Sequence, residues 1–449
     1  MKTLHQLTPT PPMGWNSFDC YGSAARAEDL LANLDVMIER LKPVGYEYFV
    51  LDNGWFAEYD YEPGEKYPTA KHSDVVRINE YGLYQPSVQM FPDGLQPIID
   101  KTHAAGLKFG IHIMRGISRT AVVQNTPIKG TTHRAADIAD TSDICRWCHY
   151  NYGVNMDKPG AQEFYDSWVQ QLADWGVDFI KADDITGFPR EIEAVVKAIE
   201  KCGRDIVLSL SPGGQTVRER MDAYLLTNML RTTKDIWDNR ADLNKAFDKW
   251  QEFNDIRQDG FWLDMDMIPF GQLMMWSPQR AHQVEDGGKQ ELLSGKGFRR
   301  MSGLNDHQKY TFITMRALAA SPLFMGGDLP TTDEFSFQLI TNPDMIACNQ
   351  NGVMGYLRHR DGGVEVWEAP RKGTAAGGAG WIGVFNRGSE PVKVRLTKVQ
   401  LGLVSDARYA IRDIWGNCPV AEAAEASGGG AYEFAIAGDG VKFLAYELA

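Results

Sequence analysis

Three short runs bring acids and bases together at spacings that could do chemistry. Val177–Asp184 reads V-D-F-I-K-A-D-D, an apolar run that ends in Lys181, Asp183 and Asp184. Leu225–Asp235 closes on Arg231 and, four residues later, Asp235. Phe261–Ile268 holds Asp264 and Asp266 with one residue between them. Apolar runs of this length read as strands buried on both faces. Such a strand rarely ends in charged side chains, because an unpaired buried charge is costly. Two carboxylates can divide the labour of glycoside cleavage, one attacking the anomeric carbon and the other protonating the leaving oxygen. Asp183 suits the first part, with the Lys181 ammonium beside it to keep it ionised. Asp235 suits the second, if partial desolvation lets it hold its proton. Three strand-end acids could also hold magnesium. Residue types alone leave both chemistries open.

These groups need a scaffold that collects strand ends at one place. From residue 13 to about 328 apolar runs alternate with helical patterns, and eight of the runs qualify as strands: Met13–Phe18, Tyr46–Asn53, Leu107–Met114, Val177–Asp184, Asp205–Ser211, Leu225–Asp235, Phe261–Ile268 and Leu318–Asp328. Between them, Leu30, Leu31, Leu34, Met37, Ile38 and Leu41 form one amphipathic helix face. Phe164, Trp168, Leu172 and Trp175 form another. Eight strands alternating with helices predict an α/β fold, a closed (β/α)8 TIM barrel, whose catalytic groups sit at the C-terminal ends of the strands. Trp15, Asp52, Asn53, His112, Lys181, Asp183, Ser211, Arg231, Asp235, Asp264 and Asp266 all fall there. Acids to take paired hydroxyls, two cations and an indole face to cover a pyranose are what a sugar pocket needs.

Three connections are too long to be simple links: Phe56–Pro92, Gly116–Asn151 and Leu273–Asn305. All follow strand ends, so they rise over the catalytic face. The first carries Tyr59, Tyr61, Tyr67, Tyr81 and Tyr84, either a wall that stacks on a ligand or a cover for the loop's own backbone. Past residue 349 short β-rich runs separated by glycine turns predict an antiparallel β-sandwich. The expected division is therefore a catalytic barrel over 1–349 and a β-sandwich domain over 350–449.

The 449 residues carry a net charge of −13, which disfavours nucleic acid and anionic membrane as partners. No apolar run reaches the ~18 residues of a membrane span. Six cysteines are too sparse for a disulfide scaffold, and the C-R-W-C at Cys145–Cys148 has no second pair to complete a zinc site. Those thiols, and a start without an apolar leader core, point to a cytoplasmic address.

The sequence also resembles glycoside hydrolase family 27, the α-galactosidase and α-N-acetylgalactosaminidase family. The resemblance begins at T-P-P-M-G-W-N-S-F (Thr10–Phe18) and continues through L-D-N-G-W-F (Leu51–Phe56), F-P-D-G-L (Phe91–Leu95) and G-L-K-F-G-I (Gly106–Ile111). It extends over W-G-V-D-F-I-K-A-D (Trp175–Asp183), R-T-T-K-D-I (Arg231–Ile236), D-M-D-M (Asp264–Met267), S-P-L-F-M-G-G-D-L (Ser321–Leu329) and R-D-I-W (Arg412–Trp415). It implies a retaining exo-glycosidase that releases terminal α-D-galactosyl residues, with Asp183 as nucleophile and Asp235 as acid/base. Lys181, Arg231, Asp52 with Asn53, and the run Asp264 to Met267 would hold the sugar, and Trp15 would floor the pocket. No metal and no cofactor is implied; the partner is a carbohydrate.

Departures from the family pattern bear on the glycone. Asn53 stands where a second acid is usual, His112 replaces a pocket tyrosine, and Ile185 replaces a cysteine two positions after the nucleophile. Ser211, followed by Gly213 and Gly214, leaves room that a 2-acetamido group could fill. The alternatives are therefore an α-N-acetylgalactosaminidase, a β-L-arabinopyranosidase acting on a sugar that is galactose without C6, or a carbohydrate-binding relic without catalysis.

Overall fold

The computed structural model describes residues 2–449 except 62, 69–72, 146, 215, 277–297, 376 and 422–429. The eight apolar runs form eight short strands: β1 (Met13–Asn16), β2 (Tyr48–Leu51), β3 (Lys108–Met114), β4 (Phe179–Asp183), β5 (Val207–Leu210), β6 (Met229–Arg231), β7 (Trp262–Asp264) and β8 (Leu323–Met325). All pair in parallel in chain order from β1 to β7, and β8 pairs with β1. A parallel bridge between Ile268, just past β7, and Met325 closes the circle. This is the (β/α)8 barrel.

The strands are shorter than the apolar runs, because chain that leaves the ladder at the catalytic rim turns into loops. Asp52, Asn53, Ser211, Asp235 and Met267 therefore sit beyond strand ends, and Leu318 closes a helix, Asp306–Leu318, instead of opening β8. The long helix between β1 and β2 buries Leu30, Leu34, Met37 and Leu41. It runs as α-helix over Ala27–Val36, loosens to π-type over Met37–Leu41, and tightens over Lys42–Val44 before Gly45 ends it at φ 100°.

Parallel partners point to the same side of a sheet, so register sorts every strand residue into lumen or helix layer. Tyr48, Val50, Phe179, Val207, Met229, Trp262 and Phe324 fill the lumen as one cluster. Phe49, Leu51, Ile111, Ile180, Leu208 and Leu230 face the helices.

After the helix Pro343–Gln350 the chain enters an antiparallel domain. Its strands are β9 (Tyr356–Asp361), β10 (Val364–Pro370), β11 (Ala379–Asn386), β12 (Val392–Thr397), β13 (Tyr409–Asp413), β14 (Cys418–Pro419), β15 (Ala431–Ile436) and β16 (Val441–Leu448). Six form one sheet in the order β9-β10-β11-β16-β13-β14, and β12 pairs with β15. One face of the large sheet packs on the β12–β15 pair through Val366, Ile382, Leu396 and Phe434. The other carries Trp367, Phe385 and Phe443 into the barrel's core cluster, where Trp367 stacks on Trp250 at 3.7 Å between ring centres. The sandwich therefore braces the helices of the barrel. The edge strand β9 was missed in the sequence because Y-L-R-H-R-D buries little and shows no apolar alternation.

The tyrosines after β2 mostly cover their own loop. Tyr59 and Tyr84 are buried, and Tyr84 stacks on Phe56 at 3.8 Å within an aromatic nest that includes Trp55 and Tyr150. Tyr67 reaches a second cluster of Ala24, Trp237, Leu273, Met274 and Trp276. Most of the third long connection lies outside the described residues.

Candidate active site

The register places Asn16, His112, Lys181, Asp183, Arg231 and Asp264 in one inward-facing belt at the rim. The pairs are His112 with Lys181, Met114 with Asp183, and Arg231 with Asp264. Continued past the strand ends, the same parity turns Asp52 and Ser211 inward. At the centre lies Asp52, whose Oδ2 accepts from Lys181 Nζ at 2.7 Å and Asn16 Nδ2 at 2.8 Å, while Oδ1 accepts from the Asn53 amide at 2.8 Å. Burial alone would raise this carboxyl, but Lys181 and His112 hold it well below the ordinary carboxylate range.

Asp183 is buried, and His112 Nε2 stands 3.3 Å from its Oδ2. Burial pushes the Asp183 carboxyl up; the hydrogen bond and charge of His112, then Arg231 and Lys181, outweigh that push and leave it below its usual value. The division of labour thus differs from the sequence expectation. Lys181 spends its short contact on Asp52, and His112 is the immediate partner of Asp183.

Arg231, almost wholly buried, bridges the second half of the site. Its guanidinium lies 3.1 Å from Asp235 Oδ1 and 3.1 Å from Asp266 Oδ1. Asp266 also accepts from the Ile236 amide at 2.7 Å, so one carboxylate fixes both the arginine and the turn that carries Asp235. Half of the Asp235 side chain is exposed at the mouth. Partial desolvation, followed by the like charges of Asp266 and Asp183, raises its carboxyl against the pull of Arg231 and Lys181. The two acids are thus pushed apart: Asp183 towards carboxylate, Asp235 towards carboxylic acid. Such a split is how one site runs nucleophilic and acid chemistry together. Asp264 accepts from the Asp266 amide at 2.9 Å and is pushed up to about 6 by burial and by Asp266. Among the described residues no group of three or more His, Cys, Asp or Glu is placed to hold a metal ion.

No family model matches the chain. Whole-protein comparison is decisive instead. A family 27 β-L-arabinopyranosidase from Geobacillus stearothermophilus superposes with a TM-score of 0.87 at 34% identity, over 100% of this chain and 98% of that one. The chain belongs to glycoside hydrolase family 27. A Bacillus halodurans protein with a provisional designation as an α-N-acetylgalactosaminidase matches at 31% identity and a TM-score of 0.80, over 97% of both chains. Among curated proteins, α-galactosidase 2 of Arabidopsis thaliana is 25% identical over 418 residues, covering 91% of this chain and 83% of its own. The chain is accordingly a glycoside hydrolase, and carbohydrate is its substrate class.

Within this family 27 enzyme the remaining expected site residues fall unevenly. Trp15 does not floor the pocket. It pairs with Phe49, and both point into the helix layer, stacked at 4.8 Å, with Trp15 Nε1 donating to the Gly327 carbonyl at 2.9 Å. The aromatic at the mouth is Phe18, whose ring centre lies 5.7 Å from Lys181 Nζ. Asn53 turns its amide to Ser23 Oγ at 3.3 Å and buries its carbonyl oxygen without a partner. Ser211 Oγ is buried and unpartnered too. Met267 joins the lumen filling beneath the acids. The room expected at Gly213 is taken, because a methyl group built there would fall on the Asp184 carboxylate; beside Gly214 the space is open.

Asp266, expected at the strand end, organises Arg231 and Asp235. Three contributors were not legible as site residues. Asn16 steadies Asp52. Asp19 is buried, with one carboxyl oxygen unpartnered and pressed on Gly326. Arg316, fully buried, donates to the Met265 carbonyl at 2.7 Å beneath the acid turn. Each of the six cysteines lies outside any disulfide, and among the described residues no helix is long and apolar enough to cross a membrane.

Proposed function

We propose that this enzyme is a retaining exo-glycosidase for terminal galacto-configured pyranosides, with β-L-arabinopyranosides as its preferred glycone. The mechanism is supported by the placement of the two acids, Asp183 buried against His112 in the lumen and Asp235 half-exposed on Arg231 at the mouth, which pushes Asp183 towards carboxylate and Asp235 towards carboxylic acid. In the first step an Asp183 oxygen attacks the anomeric carbon while Asp235 gives its proton to the departing oxygen. The aglycone leaves as an alcohol and the sugar stays as an ester on Asp183. In the second, Asp235, now a carboxylate, takes a proton from water as the water oxygen attacks the same carbon and Asp183 departs. Two inversions restore the starting configuration.

Three features support the glycone. The arabinopyranosidase is similar over the full length at 34% identity. Asn53 directs its amide to Ser23, so Asp52 is the one carboxylate of that pair available to hydroxyls, which suits a sugar without the C6 hydroxymethyl group. Asp184 occupies the space at Gly213, which leaves only that beside Gly214 of the room expected for a 2-acetamido group. A second reading, α-D-galactoside hydrolysis, is favoured by the curated α-galactosidases. The test is a panel of p-nitrophenyl β-L-arabinopyranoside, α-D-galactopyranoside and α-N-acetylgalactosaminide, with Asp183→Ala as control. The proposal requires the highest kcat/KM on the arabinopyranoside and loss of that activity in the control. A higher kcat/KM on the galactoside would install the second reading.

A further inference from the structure

Behind the nucleophile, on the helix-facing side of the barrel wall, lies a buried ion cluster that the reaction does not use. Its centre is Arg115, the first residue past β3. The Arg115 amide donates to the Asp183 carbonyl at 3.0 Å, and Nε donates to the Asp184 carbonyl at 2.8 Å. Its guanidinium lies 3.2 Å from the Asp184 carboxylate and 3.0 Å from Glu191. Two further bonds, at 2.9 and 2.8 Å, go to the two oxygens of Asp143. One face stacks on Phe188, 3.2 Å from the ring centre. Glu191 also accepts from Tyr165, whose oxygen receives the Gly116 amide.

Asp184 is a strained element held by this cluster. Its φ is +58°, a left-handed conformation that costs a non-glycine residue on the order of 1 kcal/mol and persists where its surroundings hold it. Its amide donates back to the Asp183 carboxylate, Oδ1, at 2.8 Å, and its own carboxylate fills the space at Gly213 in the loop after β5. The nucleophile therefore has two supports. His112 holds Oδ2 from the lumen, and the Asp184 amide holds Oδ1. The second depends on the orientation of the 183–184 peptide, whose carbonyl accepts from the Arg115 amide.

We propose that Arg115, acting through Asp184, is a positioning residue for the nucleophile: its amide holds the Asp183 carbonyl while its fork holds the Asp184 carbonyl and carboxylate, so the 183–184 peptide that offers its N–H to the Asp183 carboxylate is clamped at both ends. Asp143 ties the same fork to the excursion after β3, so this loop braces the catalytic strand. The excursion is fitted to that task, since a methyl group at Gly153 would collide with the Asp143 carboxylate. The proposal rests on Asp183 being the nucleophile of the mechanism above.

Arg115→Lys keeps the charge and removes the fork; Asp184→Gly keeps the left-handed turn and removes the carboxylate from the clamp. For Arg115→Lys we expect a folded protein whose kcat falls at least tenfold with KM within about threefold. The fall should persist with a 2,4-dinitrophenyl leaving group, which needs no acid, because the defect lies in the attack. Asp184→Gly should retain more activity than Arg115→Lys. A crystal structure of Arg115→Lys gives a readout independent of any substrate: the Asp184 amide should leave Asp183 Oδ1, and the Asp183 carboxylate should shift with it. An unmoved Asp183, or a kcat within twofold of wild type with only a lowered Tm, overturns the proposal. Wild-type silence on every glycoside of the panel would count against the assigned function alone, and the crystallographic comparison would still decide the clamp.

Discussion

His112 Nε2 stands 3.3 Å from Asp183 Oδ2, and Lys181, two residues before Asp183, gives its ammonium to Asp52 instead. The cation that neighbours the nucleophile in sequence is thus not the group that neighbours it most closely in space. Residues i and i+2 of a strand share a face but stand well apart, whereas His112 faces the site from the adjacent strand.

His112→Phe should therefore do more damage than its conservative volume suggests. Removing the hydrogen bond leaves burial as the leading influence on Asp183, so its carboxyl rises. Its ionised fraction then falls at low pH, and the acid limb of the kcat/KM profile moves to higher pH. A hydrogen bond to a charged group is worth about 2 kcal/mol, or roughly thirtyfold in kcat/KM. An unshifted acid limb would contradict this account.

The raised Asp235 carboxyl sets the other limb. Activity on poor leaving groups should be lost as pH climbs through the Asp235 titration, which lies above the ordinary carboxylate range. Asp235→Ala should abolish that limb and lower turnover on p-nitrophenyl glycosides by roughly 10²–10⁴-fold. It should cost far less with a 2,4-dinitrophenyl glycoside. Equal losses on both substrates would remove Asp235 from the acid role.

Gly213 and Gly214 are neighbours with opposite expectations. Alanine at Gly213 would strike the Asp184 carboxylate, so Gly213→Ala should cost about 1–3 kcal/mol of stability and reduce turnover through the nucleophile. Gly214→Ala meets open space and should change stability by less than about 0.5 kcal/mol. Chemical denaturation of the two variants, read beside their kcat values, checks the contrast.

Glu191 supplies a pH signature of the buried cluster. Burial, only partly opposed by Arg115 and Tyr165, pushes its carboxyl from 4.5 to about 7. The folded protein therefore holds this proton more tightly than the unfolded chain. The associated stability is complete below about pH 4.5 and is lost as pH rises towards 7. Relative to Glu191→Gln, the wild type should lose about 3 kcal/mol across that window. Urea unfolding of both proteins at several pH values measures it, and parallel stability curves would refute the assignment.

Much of this was readable in the chain. Apolar runs and helix spacing specify the barrel, because each strand is buried on both faces and each helix on one. The acids Asp183 and Asp235 stand out because charge at the end of a buried strand needs an explanation. What was not legible depends on parity and on contacts across strands. Trp15 looked like a pocket floor by its type, yet the register turns it outward and Asn16 inward, and the loop that follows carries Phe18 to the mouth. The Gly213–Gly214 pair looked like space, but the carboxylate that fills half of it comes from a different strand. Nothing in the local sequence marks Arg115 or Arg316 for burial, because their partners lie 28 and 51 residues away.

The central claim is that Asp183 becomes covalently attached to the sugar. The most direct measurement is trapping with a 2-deoxy-2-fluoro glycosyl fluoride of the better glycone, followed by peptide mapping by mass spectrometry. One added fluorosugar is expected on the peptide containing Asp183, and none in Asp183→Ala. A label on Asp235, or turnover without any adduct and with inverted configuration in the released sugar, would contradict it.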